Sequence, residues 1–247
     1  MMRRLALAAV LVGALAGGSA LASTPLDPGG DDAGFVPPNR DALHCEDNVA
    51  RNLRKAMKCI GVRCHRKNAI FLLKGRNFPE QSCEKRCTDK FHELDNKLVG
   101  CGACLDADAR AALLTSAQDY MRAHNGDMFC DGTIPFGDGL TGAVPPGRLS
   151  LHCEQFVTKQ VALAMGCIEK CHIDKVDGRF GGGTFLDEDC ENICRIKYES
   201  LNAEVDSACP TCLKFAQRTA IFGAIEDFLD QKNGDVYCAS PSGAFVQ

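Results

Sequence analysis

Cys83-Glu84-Lys85-Arg86-Cys87-Thr88-Asp89-Lys90-Phe91-His92-Glu93-Leu94-Asp95-Asn96-Lys97-Leu98 sets Cys83, Cys87, Phe91, Leu94 and Leu98 three or four residues apart, with Cys101 following. That spacing places them on one face of an α-helix. Further along, Cys190, Cys194, Tyr198, Leu201 and Val205 repeat the stripe, with Cys209 just beyond. The segments upstream behave alike. Cys45, Val49, Leu53, Ala56, Ile60 and Cys64 form one apolar stripe, and Cys153, Val157, Val161, Ala164, Ile168 and Cys171 form its twin. A third helix is expected from about Cys104 to His124, with Leu105, Ala109, Ala112, Ser116 and Tyr120 on one side. Its twin carries Phe215, Phe222, Ile225 and Leu229. Gly126 and Gly234 read as helix stops.

These twins belong to a duplication. Val36-Pro37-Pro38-Asn39-Arg40-Asp41-Ala42-Leu43-His44-Cys45 aligns with Val144-Pro145-Pro146-Gly147-Arg148-Leu149-Ser150-Leu151-His152-Cys153 at an offset of 108. Carried onward, the offset matches Cys45, Cys59, Cys64, Cys83, Cys87, Cys101, Cys104 and Cys130 with Cys153, Cys167, Cys171, Cys190, Cys194, Cys209, Cys212 and Cys238. One residue is lost between Cys167 and Cys171 and regained before Cys209. Asn125-Gly126-Asp127 recurs as Asn233-Gly234-Asp235. Two copies are too few for a solenoid, so the expectation is two homologous three-helix modules in tandem, residues 44–130 and 152–240. The Pro- and Gly-rich segments 23–43 and 131–151 read as linkers.

The chain has 247 residues, 45% hydrophobic and 24% charged, which excludes disorder throughout. Met1–Arg4 is a positive start, Leu5–Gly18 an apolar stretch and Ala20-Leu21-Ala22 a cleavage signal. Residues 1–22 are therefore read as a secretory signal peptide. Removing Arg3 and Arg4 leaves 26 basic against 32 acidic side chains, a net charge of -6. Nothing in that balance favours nucleic acid. No run in the mature part is long enough for a transmembrane segment.

All sixteen cysteines lie between Cys45 and Cys238, in the exported part. In an oxidising compartment such a set is a disulfide framework. The cysteines share the apolar stripes, so they face the core and pair between helices. Cys59 and Cys64 end the first helix, and Cys83 and Cys87 begin the second. A hairpin fold then gives the nested pairs Cys59–Cys87 and Cys64–Cys83, and likewise Cys167–Cys194 and Cys171–Cys190. This resembles the paired-cysteine helical hairpins of small secreted peptides. Cys45 and Cys130 are expected to take one each of Cys101 and Cys104, in either order. Cys153 and Cys238 would treat Cys209 and Cys212 alike, so that each module closes its own bridges.

Two alternatives carry chemistry. Cys59-Ile60-Gly61-Val62-Arg63-Cys64-His65 and Cys167-Ile168-Glu169-Lys170-Cys171-His172 resemble variant c-type haem attachment motifs. With His44 and His152 also recurring, that resemblance implies a di-haem c electron carrier with paired histidine ligands. Neither spacing is the usual one, and the bland reading makes His65 and His172 polar residues at a helix end. Cys101-Gly102-Ala103-Cys104 and Cys209-Pro210-Thr211-Cys212 resemble the active-site pair of thioredoxin-like thiol–disulfide oxidoreductases, in which a helix N-terminus lowers a thiol pKa. No strand–helix–strand pattern surrounds them. Zinc is disfavoured because bridged cysteines are not thiolate ligands. Asp174, Asp177, Asp187, Glu188 and Asp189 around Gly181–Gly183 read as a solvated acidic loop. The basic run from Arg51 to Lys67 reads as a solvated helix face.

The expectation is thus an all-α, disulfide-rich, secreted or periplasmic protein. Its expected role is non-enzymatic binding or structure, with no catalytic residue and no cofactor, acting on a protein or surface ligand.

Overall fold

The computed structural model describes Leu26 and residues 33–203 and 205–239. The expected signal peptide, 1–22, and residues 23–32 of the first linker except Leu26 lie outside the described residues. Asn39 opens α1 (Arg40–Lys58) by accepting the Ala42 N–H at 2.9 Å. Helix continues through a π-helical segment, Cys59–His65, into α2 (Arg66–Leu73). Next come α3 (Glu80–Asp95), α4 (Ala107–Ala123) and the short α5 (Asn125–Met128). A two-stranded hairpin follows, β1 (Ile134–Gly137) and β2 (Leu140–Val144), then α6 (Arg148–Phe180), α7 (Asp187–Ala203) and α8 (Phe215–Val236).

The first helix does not end at its cysteines. Residues Arg40–Leu73 form one helical run, matched by the 33 residues of α6, about 50 Å at 1.5 Å per residue. The extra residue between Cys59 and Cys64 sits in the π-helical segment. A π turn holds one residue more than an α turn. Five residues from Cys59 to Cys64 therefore span what four residues span from Cys167 to Cys171. In both halves the second helix meets the same pair of sulfurs, as Cys59–Cys87 and Cys64–Cys83, and as Cys167–Cys194 and Cys171–Cys190.

The remaining bridges differ from the expected closure of each module on itself. Cys45 joins Cys101 and Cys153 joins Cys209, within their halves. Cys104, however, joins Cys238, and Cys130 joins Cys212, so two bridges cross between the halves. All sixteen cysteines are paired. The crossing is reciprocal, because Cys104 and Cys212 are equivalent positions, as are Cys130 and Cys238.

Other equivalent positions repeat this exchange. Tyr120 on α4 stacks on Phe228 on α8 with ring centroids 3.9 Å apart, and these two residues are themselves equivalent. Such self-pairing marks a local two-fold axis. Glu46 accepts the Ala239 N–H at 2.9 Å, and Glu154 accepts the Asp131 N–H at 3.0 Å. Asn233 donates to the Ala33 carbonyl at 2.9 Å, and Asn125 to the Thr141 carbonyl at 2.8 Å. The chain just before each long helix therefore straps across the end of the other half's last helix.

This strapping corrects two readings. Residues 131–151 are not an open linker. They form the hairpin, turned by Asp138 (φ 52°) and Gly139 (φ 76°) as a primed turn requires, and then the first turn of α6. Gly234 does not stop its helix, which runs on to Val236. It lets the strap approach: a Cβ there would lie 2.7 Å from Ala33 Cβ, as one on Gly126 would lie 2.9 Å from Gly142 N.

One apolar core runs through both halves, with α1 packed on α6 at its centre. The expected stripes of the first two helices supply it: Val49, Ile60, Cys64, Val157, Ile168 and Cys171 are buried. In α4 the inward face is Leu113, Leu114, Ala117 and Met121, one residue beyond the expected stripe. Tyr120 turns instead to Phe228. Among the described residues no helix is long and apolar enough to cross a membrane. The helical fold and eight disulfides fit a disulfide-rich extracellular protein.

Candidate functional site

His65 and His172 are not at helix ends. Each lies inside the long helix of its half, buried, beside carboxylates. His65 comes from the π segment. Glu80 and Glu84, one turn apart in α3, face it together. His65 Nε2 lies 3.0 Å from Glu84 Oε1 and 3.8 Å from Glu80 Oε1. The second oxygen of Glu84 accepts Gln118 Nε2 at 2.9 Å and Arg122 Nη1 at 2.6 Å, both from α4. Burial alone would raise the Glu84 pKa, but hydrogen bonds from His65, Gln118 and Arg122 outweigh it and hold the carboxyl below its usual value. Glu80 has no such help. It is 1% exposed, and neither of its oxygens accepts a hydrogen bond. Burial, with the Glu84 charge beside it, pushes its pKa up to about 8.

The second half holds the same frame with other residues. His172 Nε2 lies 2.8 Å from Glu191 Oε1 and 3.1 Å from Asp230 Oδ1. Glu191 is the equivalent of Glu84, and burial raises its pKa. Asp230 stands where the first half has Arg122. Glu226 stands where it has Gln118; burial, then the charges of Glu191 and Asp230, push it up to about 7. Asp187 stands where it has Glu80 and accepts from Lys175 Nζ, itself 1% exposed. Asp187 is thus a buried ion-pair partner at the first turn of α7 and not part of a solvated acidic loop; Asp174 pairs with Lys170. At the position of Lys175 the first half has Asn68.

The residues of the haem reading are kept apart. Cys59, Cys64, Cys167 and Cys171 are in disulfides. His44 and His152 are exposed and lie some twenty residues, about 30 Å along the helix, from His65 and His172. Each C-x-x-C is divided between two bridges, to Cys45 and Cys238 in one case and to Cys153 and Cys130 in the other. Neither pair opens an α-helix, since α4 begins at Ala107 and α8 at Phe215. In the basic run Arg51 pairs with Asp47, and Arg54 reaches the Gly166 carbonyl on α6 at 3.2 Å, an inter-helix contact and not a solvated face.

Sequence reading passed over the carboxylates around His65 and His172. One signal was present: Glu84 and Glu191 each follow the first cysteine of their helix directly, at matched positions. A cavity beside His172, lined also by Leu53, Met57, Phe228 and Lys232, measures about 30 Å³, room for a water or two. The chain matches no protein-family model, and no curated protein or solved structure is significantly similar to it.

Proposed function

We propose that this chain is an exported, disulfide-rich helical protein with a non-enzymatic binding or structural role in the periplasm, at the cell surface or in the medium. It is built from a duplicated three-helix module whose copies are locked face to face, and its partner is a protein or surface ligand. The observation that carries this reading is the complete use of sixteen cysteines in eight bridges, two of them reciprocal between the halves. Crosslinking of that density favours persistence outside the cell over rapid conformational change. The ionisable groups at the interior clusters face one another, which supports a scaffold over a catalyst. Intact mass before and after reduction, with an absorption spectrum, tests the reading. The expected result is two hydrogens gained per bridge, no free thiol before reduction and no covalent haem. Unbridged thiols in material from its native compartment, a Soret band, or reduction of insulin disulfides lost on Cys101→Ser would each overturn it.

A further inference from the structure

We propose that the first half holds one divalent transition-metal ion, with Zn²⁺ the best match, through His65 Nε2, Glu80 Oε1 and Glu84 Oε1. The donor atoms lie within 4.8 Å of one another, and all three residues are buried. An ion about 2.0–2.2 Å from each donor in tetrahedral array needs donors roughly 3.3 Å apart. The separations from His65 Nε2, 3.0 Å to Glu84 and 3.8 Å to Glu80, bracket that value. One imidazole with two carboxylates is a borderline-to-hard donor set, suited to Zn²⁺ and containing no sulfur.

The independent pointer is Glu80. A carboxylate buried with neither oxygen bonded is costly unless a cation or a proton donor meets it. In the second half that need is answered inside the chain, because Lys175 meets Asp187. In the first half Asn68 stands in place of the lysine, and Glu80 points at His65 and Glu84 instead. Glu84 is already oriented as metal-ligating carboxylates are: one oxygen is fixed by Gln118 and Arg122, and the other is directed at the shared point. The charges also balance. Arg122 and a divalent ion offset Glu80, Glu84 and the nearby Asp138, whose carbonyl Arg122 also binds.

The test uses the full oxidised mature protein, stripped with a chelator and titrated with Zn²⁺ by calorimetry and native mass spectrometry. Wild type should retain a bound ion and melt at a higher temperature with it. Glu80→Gln, which keeps the shape and removes the charge, should weaken that site at least tenfold, about the loss seen when a metal site's supporting groups are removed. Asn68→Lys, which supplies the second half's own solution, should do the same, whereas Asp230→Asn should leave this ion in place. An intact-mass count of eight disulfides checks that each variant is folded. X-ray absorption of the wild type gives a readout independent of any variant, with nitrogen and oxygen but no sulfur around the metal. The proposal fails if the wild type binds no Zn²⁺, if both Glu80→Gln and Asn68→Lys bind it unchanged, or if sulfur ligates the metal. None of these outcomes depends on the export reading.

Discussion

At His65 the buried acids are Glu80 and Glu84, with Arg122 on one side; at His172 they are Glu191, Asp230 and Asp187, with Lys175. The backbone frame is the same, and so is the histidine–glutamate contact. The cation has moved from α4 to the long helix. In the second half it meets the acid at the start of α7, and in the first half the corresponding acid, Glu80, accepts no hydrogen bond and has only His65 at 3.8 Å. A buried acid takes either a counter-charge or a proton, and the two halves show that the cation's place can shift while the helices stay put.

The largest effect is expected from separating the halves. Replacing Cys104, Cys238, Cys130 and Cys212 with serine should lower unfolding free energy by about 2–4 kcal/mol per bridge, measured by denaturant titration. Cleavage at the Asp138-Gly139 turn sharpens the point: the two pieces should run as one species until reduced. Two pieces that part without reductant would show the halves to be independent. Next comes Lys175→Met, which takes the buried lysine away from Asp187 and should cost about 3–5 kcal/mol. Asn68→Met, at the equivalent place, should cost much less, and equal costs would break the comparison. Gly234→Ala follows at about 1–3 kcal/mol, because its Cβ would press on the Ala33 strap.

The last effect is a slope with pH. Burial pushes Glu46 and Glu154 up to about 8, where backbone N–H groups from the opposite half meet them. Unfolded, they titrate near 4.5. The folded state holds more protons across that window. Their contribution is therefore complete below pH 4.5 and is lost as pH rises through about 8. Glu46→Gln with Glu154→Gln should flatten the fall in melting temperature over that range. An unchanged slope would mean the two carboxyls are ionised in the fold.

Much of the helical architecture was legible because cysteines and aliphatics share stripes, and a stripe fixes which face is buried. Cys64 and Cys83 could be matched across a hairpin for that reason. The crossing of Cys104 to Cys238 could not, since an even number in each half says nothing about which half a partner belongs to. Tyr120 looked like a core residue by spacing alone, yet its ring lies against Phe228, a contact made only once two halves meet. His65 and His172 both looked like helix ends because each directly follows the last cysteine of its stripe, and in the first half one residue is extra. A π turn absorbed that residue and kept the histidine inside the helix. Glu80 carries no sequence signal, as its isolation depends on Asn68 standing where its twin position is lysine.

The reciprocal bridges also bear on biogenesis. Cys104 has its partner 134 residues downstream, and Cys130 has its own 82 residues downstream. On the proposed export route, both thiols would have to stay unpaired, or be reopened by an isomerase, until most of the second half has arrived. The first half is thus obliged to wait, and oxidation in strict order of appearance would lock it to the wrong neighbour.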